Sequence, residues 1–446
     1  MMGPDRRTGT ACPPPAARDS LHTPVAVVEL DLDEPGEVRS PGGRGPADPD
    51  GRVLALVRLH GHPLGLVKAT GTAGHRAALS RALVAAAHRE LHVPARSTAA
   101  PAARHTRAGR ARVPADLPTV SVIVPTHNRP AVLRRCLESL LRSDYPYYEV
   151  LVVDNAPADD GARRLVQEHY PDRVRYLREP ITGSARARNR GLAAARGEIC
   201  AFADDDVLVD AAWVGAVADA FAADREVGCV TGLVLPAELD TPAQRVLEEY
   251  GGYARGFDAR TWSLADAAAD PLLRFSVGRF GSGANMAFKT SVLRAVGGFD
   301  PATGAGTPAR GGEELLAFFR VLNAGHSVAY QPDAIVWHRH PRTAEELTKQ
   351  VFNFGVGFGA YLTAAVSHQP GVLAPLVRRL PRGVWQWQTV RRRRAKAAPV
   401  AVPAPMLRLG RREMGGLLYG PLGYLISLHR QHTAVRCAGA GSGGER

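Results

Sequence analysis

The stretch VSVIVPTHNRP, Val120–Pro130, opens with five residues of which four are apolar and β-branched. A continuous run of this kind marks a strand buried on both faces, as parallel strands are. The run ends at Pro125, and Pro125, Asn128 and Pro130 are turn formers. PAVLRRCLESLLRS follows, with Leu133, Cys136, Leu137, Leu140 and Leu141 at helical spacing. The same alternation continues outward. YEVLVVDNA (148–156) reads as a second buried strand, DDGARRLVQEHY (159–170) as a helix and VRYLRE (174–179) as a strand. SARARNRGLAAAR (184–196) reads as a helix, and EICAFADDD (198–206) as a strand. Strands alternating with helices specify right-handed βαβ units, and so an α/β fold with a doubly wound, mostly parallel sheet flanked by helices. Ligands bind such sheets beyond the carboxyl ends of the strands. His127–Arg129, Asp154–Asn155 and Asp204–Asp206 then share one rim.

Downstream, AWVGAVADAFAA (212–223) reads as a helix and VGCVTGLVLP (227–236) as a strand, followed by a looser region over about 237–280. GSGANMAFKTSVLRAVGGFD (281–300) reads as loop, strand and helix, and GGEELLAFFRVLNAGHSVAYQPDAIVWHRH (311–340) as helix then strand. Upstream, residues 1–24 and 34–51 are rich in Pro and Gly and read as loose. The runs VAVVELDL and VLALVRLHGHPLGLVKATG, the second a hairpin turning at HGHP, precede a helical AALSRALVAAAHREL. The expected organisation is a loose N-terminus (1–24), a small α+β domain of unassigned role (25–94) and a Pro/Ala/Arg-rich linker (95–118). The α/β domain (119–345) and a basic, mainly helical C-terminal region (346–446) complete it. His60 and His62, in the hairpin turn, are expected to face solvent.

The chain of 446 residues has a net charge of +13, and only four of its 56 basic residues are lysine, so a lone Arg is a weak signal. The charge is uneven: residues 370–446 hold 14 Lys and Arg against two Glu, a net +12. The five cysteines are scattered without CxxC or Cys/His spacing, which points to a reducing compartment. The start has no apolar core after its arginines and does not read as a signal peptide. Gln350–Val377, the longest uncharged stretch, is broken by polar residues, Pro and glycines and is a poor membrane span.

Three consecutive carboxylates, Asp204, Asp205 and Asp206, close a buried strand. Adjacent like charges raise one another's pKa. Two readings compete. A helix start would favour one or two of them through its free N–H groups and dipole. A divalent cation such as Mg²⁺ or Mn²⁺ accounts for all three, because it takes hard oxygen ligands shared with a substrate's phosphates and removes the repulsion. Asp154, at the end of its own strand, is an Asx-turn former or an acceptor for a nucleotide base or ribose.

VSVIVPTHNRP, VLVVDNA, GSARARNRGLAAARGEICAFADDD, GSGANMAF, GGEELLAFFRVLNAG and VWHRH occur in this order. Together they resemble the family 2 glycosyltransferases, which have the GT-A fold, over about Thr119–His340. The resemblance implies a role for each matching residue. Pro125, Thr126, Asn128 and Arg129 would sit by the nucleotide, and Asp154 would bind its base. Arg188 and Asn189 would lie against the nucleotide and its diphosphate. Asp204–Asp206 looks like the family's DxD metal motif, with Asp206 on the metal and Asp204 and Asp205 toward ribose or sugar; Asp204 is a further metal candidate. His338 resembles a histidine that completes the metal site. Glu313–Glu314 aligns with an acidic pair whose second member is usually the general base. The family more often has Glu-Asp there, which leaves the choice between the two open, with Glu314 first.

The implied activity is that of a nucleotide-sugar-dependent transferase of the hexosyltransferase type. A sugar would move from a UDP-, GDP- or dTDP-linked donor to a hydroxyl acceptor on a glycan, lipid-linked glycan or secondary metabolite, as in polysaccharide biosynthesis. Such transfer needs a cation for the leaving diphosphate, a carboxylate to take the acceptor's proton and in-line alignment. One direct displacement inverts the anomeric centre. The alternatives are a nucleotidyltransferase, for which VPTHNRP lacks a Gly-rich phosphate loop, and a nucleotide-sugar-binding protein without catalysis, which would not need Glu313–Glu314. In the tail, RRRRAK (Arg391–Lys396), VRRLPRG and LRLGRRE alternate with apolar pieces bearing Trp385, Trp387, Tyr419 and Tyr424. The readings are a solvated tail, an anionic membrane surface and, last, nucleic acid, which is not expected. The corresponding location is cytoplasmic, peripheral at the inner face of the plasma membrane.

Overall fold

The structure is a computed structural model that describes residues 24–43, 45–91, 93, 117–267, 270, 272–379 and 404–441. Residues 1–23, nearly all of the expected linker, Trp385, Trp387 and the run Arg391–Lys396 lie outside the described residues.

The N-terminal unit is a four-stranded sheet of β1 (Val25–Asp31), β2 (Val38–Arg39), β3 (Gly51–Leu59) and β4 (His62–Gly71), in the order β2-β1-β3-β4, under helix α1 (Arg76–Glu90). β1 and β3 run parallel, while β3 and β4 form the hairpin expected at HGHP. His60 and Gly61 both take positive φ there, the geometry of a tight hairpin turn. Two expectations need correction. Residues 34–51 hold β2 and a bridge from Arg39 to Pro46, so they are not uniformly loose. His62 is half-buried, its Nδ1 2.8 Å from Asp333, because the hairpin rests on the next unit.

That unit begins with β5 (Val120–Thr126), α2 (Pro130–Leu140), β6 (Tyr148–Asn155), α3 (Gly161–His169), β7 (Val174–Glu179), α4 (Ser184–Ala194) and β8 (Ile199–Ala203). It continues with β9 (Val207–Val209), α5 (Trp213–Ala223), β10 (Val227–Pro236) and α6 (Pro242–Tyr250). After these come β11 (Arg260–Trp262), β12 (Asn285–Lys289), α7 (Thr290–Ala295), α8 (Glu313–Asn323) and β13 (Ser327–His338). The nine-stranded sheet runs β11-β13-β10-β12-β8-β5-β6-β7, with β9 added on β13. β8, β5, β6 and β7 are parallel, as are β10 and β13, while β12 runs antiparallel between β8 and β10. Apolar clusters fill both faces, one built on Ile123, Phe202, Phe288 and Phe318 and the other on Val122, Val152, Trp213 and Val336. Both faces are covered, which is why its strands read as unbroken apolar runs. Cys136, Cys200 and Cys229 are buried free thiols.

The region 237–280 is more regular than its sequence implied. It carries α6, β11 and three short 3₁₀ turns. Thr241 caps α6 through a reciprocal capping box with Gln244, and Pro242 occupies the first turn. A long helix, α9 (Ala344–His368), follows β13 and packs parallel to α10 (Ala404–Gly441), with Phe352 against Gly416 and Ala360 against Gly420. The glycines of NFGVGFGAYLTAAV serve this contact. A Cβ on Gly355 or Gly359 would run into the carbonyls of Glu413 or Leu417, so the two backbones touch only because both are glycine. Among the described residues no helix is long and apolar enough to cross a membrane.

Candidate active site

The carboxyl ends of β5, β6, β8 and β13 meet at one edge of the sheet, as the rim rule requires. The register of β9 on β13 pairs Val207 with His338, so Asp206 arrives beside the end of β13. The three aspartates then face three ways. Asp204 accepts from Arg188 Nη2 at 2.9 Å. Asp205 is buried and accepts from Thr126 Oγ1 at 2.7 Å and Arg129 Nη2 at 2.5 Å. Asp206 accepts from Arg129 Nη1 at 3.2 Å through Oδ2. Its Oδ1 is buried with no hydrogen-bond partner and lies 3.5 Å from His338 Nε2.

Burial dominates the electrostatics here. It pushes Asp205 up to about 7 against the pull of Arg129, and raises Asp204 against the pull of Arg188. It lowers His338, favouring the neutral imidazole, although the Asp206 carboxylate opposes this.

On the opposite wall, Gly312 takes φ +90° at the start of α8, where a Cβ would strike the carbonyl of Gly357 in α9. Glu313 and Glu314 open the helix behind it. Glu313 is buried and accepts from Arg188 Nη1 at 2.5 Å and Ser184 Oγ at 2.6 Å. Glu314 has no hydrogen bond or ion pair to another side chain among the described residues; its own backbone N–H donates to its carboxylate, and Gly283 of GSGAN lies against its Cβ. Burial, with the Glu313 charge adding to it, pushes Glu314 up to about 8. Arg188 thus ties the aspartate cluster to the acidic pair and neutralises one member of each.

Other expected site residues divide by partner. Asp154 accepts from Tyr176 Oη at 2.9 Å through Oδ2, while its Oδ1 is buried and unpartnered, and burial raises its pKa. Asn128 takes φ +55° and accepts from the Ala158 amide at 2.8 Å. Asn189 spends both polar ends on the Phe299 backbone, at 2.7 and 2.9 Å. Pro125 is half-buried in β5, paired with Val153. The sequence reading missed three neighbours. His340 Nδ1 is 3.2 Å from His338 Nδ1, and His340 Nε2 is 2.6 Å from Glu248 Oε1. The Tyr253 ring covers both histidines, at 5.0 and 5.6 Å between centroids. The Thr-Pro-Ala-Gln capping box at residues 241–244 was the available signal for the helix that carries Glu248.

The donor set suits a divalent cation. A buried carboxylate oxygen without a hydrogen-bond donor faces an imidazole nitrogen, and each can offer a lone pair. Among the described residues no three His, Cys, Asp or Glu side chains are gathered closely enough to hold a metal ion by themselves, so Asp204 does not join Asp206 and His338 as a third ligand. Such a site leaves positions for substrate phosphate oxygens.

Residues 121–297 match the profile described as Glycosyl transferase family 2. These residues form a family 2 glycosyltransferase domain. The domain has a GT-A-like fold, a large mostly parallel sheet flanked by helices. The chain is 29% identical over 264 residues to the pre-mycofactocin glycosyltransferase of Mycobacterium tuberculosis, covering 58% of this chain and 50% of that protein. It is 25% identical over 239 residues to the probable glycosyltransferase YdaM of Bacillus subtilis, covering 51% and 52%. The chain thus spans about half the length of these curated relatives. Among solved structures, the mannosyltransferase PcManGT from Pyrobaculum calidifontis, in complex with GDP-Man and Mn²⁺, aligns with TM-score 0.44 and 22% identity, over 69% of this chain and 87% of that one.

Proposed function

We propose that this chain transfers a sugar from a nucleotide-diphosphate donor to a hydroxyl acceptor by metal-assisted direct displacement with inversion. The observation that carries the reading is the division of the acidic pair. Glu313 is neutralised by Arg188, whereas Glu314, beside the aspartate cluster, keeps a carboxyl with no side-chain partner among the described residues. A pure donor-binding site has no use for a spare basic carboxylate; a hydroxyl nucleophile does.

The residues then take these roles. Asp206 and His338 would hold Mg²⁺ or Mn²⁺, with Asp204 adjacent. That cation would supply charge stabilisation to the leaving diphosphate. Asp154 Oδ1, buried and unpartnered, accepts from a base N–H. Arg129 and Arg188 are the cationic groups nearest the aspartates, placed to meet diphosphate oxygens. Thr126 holds Asp205 and thereby orients Arg129. Glu314 takes the acceptor proton as the new glycosidic bond forms.

The deciding experiment is hydrolysis and transfer assayed with a panel of UDP-, GDP- and dTDP-sugars and Mn²⁺, Glu314→Gln beside wild type. Turnover in wild type and its loss in the variant are expected, with a β-linked product from an α-linked donor. Equal behaviour of the two proteins, or retention of the α configuration, would overturn the reading.

We further propose an anionic membrane surface as a partner. The face of α10 turned away from α9 exposes Leu418 (75%), Leu422 (54%) and Leu425 (54%). Exposed Arg408, Arg411 and Arg412 precede them and Arg430 follows. An apolar stripe between basic ends is the pattern of an interfacial helix.

A further inference from the structure

We infer that Glu248 and His340 are positioning residues that set the ring orientation and tautomer of His338. They leave its Nε2 lone pair turned toward Asp206 Oδ1. The inference rests on the reading of Asp206 and His338 as cation ligands.

Glu248 Oε1 and His340 Nε2 are 2.6 Å apart. A carboxylate only accepts, so His340 Nε2 carries the hydrogen. A neutral imidazole protonated at Nε2 has its lone pair at Nδ1. His340 Nδ1 stands 3.2 Å from His338 Nδ1, and one of two facing nitrogens must donate. The donor is therefore His338 Nδ1–H. His338 then has a bare Nε2, and that atom is the one 3.5 Å from the partnerless Asp206 Oδ1. Two lone-pair atoms facing each other in a buried site repel unless a cation lies between them.

The framework is rigid. The His340 side chain is fully buried, and Tyr253 packs on both histidines, its own hydroxyl accepting from Gln350 Nε2 at 2.7 Å. Gln244, the capping residue of α6, donates to the His340 carbonyl at 3.3 Å. The helix that carries Glu248 is thereby fixed to the strand end that carries the histidines. Outer partners of this kind typically change metal affinity about 10–100-fold when removed.

The test is Mn²⁺ affinity of the full chain, from the free-Mn²⁺ EPR signal with the metal alone, alongside thermal midpoints. His340→Phe keeps the ring volume and deletes both nitrogens; about 10–100-fold weaker Mn²⁺ binding is expected. His340→Asn retains an acceptor near Nδ1 and should recover most of the affinity. Glu248→Gln, which can donate as well as accept and so reverse the chain, should weaken binding even if His340→Phe does not fold. Unchanged or tighter binding in His340→Phe and Glu248→Gln would overturn the inference, because it would mean that His340 donates and blocks His338. If His338→Ala and Asp206→Ala also leave Mn²⁺ affinity unchanged, the cation reading itself fails, not the relay alone.

Discussion

Arg58 Nη2 donates to Asp210 Oδ2 at 2.6 Å, across 152 residues of sequence. The same guanidinium donates to Glu29 at 2.5 Å, and all three side chains are largely buried. Arg58 lies on β3 of the N-terminal sheet, and Asp210 directly follows β9, which itself follows the three aspartates. Around the triad, Val27 and Leu56 pack on Leu208, Leu233, Ile335 and Trp337. The small sheet therefore supports the back of the β9–β13 pair that places Asp206 beside His338.

Arg58→Leu should leave two buried carboxylates unpaired, at a cost of about 3–5 kcal/mol. Urea denaturation would read it as a lower midpoint or as a separate early transition of the N-terminal sheet. An unchanged single transition would show that the two units are not energetically coupled.

Asp206→Ala should abolish turnover and metal-dependent donor binding together, with activity down about 10³-fold or more. Calorimetric titration of the donor with and without Mn²⁺ checks this. Donor binding that stays metal-dependent in the variant would remove Asp206 from the metal.

Glu314 gives a pH signature of definite sign. Its carboxyl is raised to about 8, so kcat/KM should climb with pH through that region as the base form appears. Glu314→Gln should flatten the climb and lower the rate by about 10²–10⁴-fold. Stability should move the other way. Between the unfolded value of 4.5 and about 8 the folded protein holds a proton that the unfolded chain has released, so stability falls as pH rises through this window. Glu314→Gln removes that loss and should melt higher than wild type at pH 8, by about 1–3 °C per kcal/mol. The gap should nearly close at pH 5. A higher melting point at pH 5 only would contradict the burial of this group.

Much of the parallel half of the sheet was legible, since strands buried on both faces need runs such as VSVIV and VLVVD. The antiparallel direction of β12 was not: NMAFK is buried in either direction, and side-chain pattern carries no sense of chain direction. The aspartate triplet was visible as a cluster at a strand end on the sheet's carboxyl rim. Its three separate orientations were not, because they depend on Thr126, Arg129, Arg188 and His338 arriving from three other segments. Glu248 and His340 were missed for the same reason, being 92 residues apart in sequence.

Gly359 tests packing against propensity. Ala is worth about 1 kcal/mol more than Gly inside an isolated helix, so Gly359→Ala would stabilise α9 on its own. Here the added methyl meets the Leu417 carbonyl and must separate α9 from α10. Net destabilisation by about 1–3 kcal/mol is expected, as for other overpacked sites, and thermal melting would show it. Because Gly357 of the same helix abuts Gly311 and Gly312, the loop before Glu313, some loss of kcat should accompany it.

The outer face of α10 should bind membranes through two separable contributions. Flotation with liposomes containing phosphatidylserine should recover the full-length protein, and neutral liposomes should recover less. Replacing Leu418, Leu422 and Leu425 with Gln removes three partly or largely exposed apolar side chains without touching the inward glycines Gly416 and Gly420. That variant should lose flotation while keeping its melting point. Raised salt should weaken the wild type, because each basic residue near the surface contributes about 1 kcal/mol that screening removes. A self-association surface would give a different pattern: no flotation at any lipid composition, and a mass by light scattering that falls to the monomer in the triple variant.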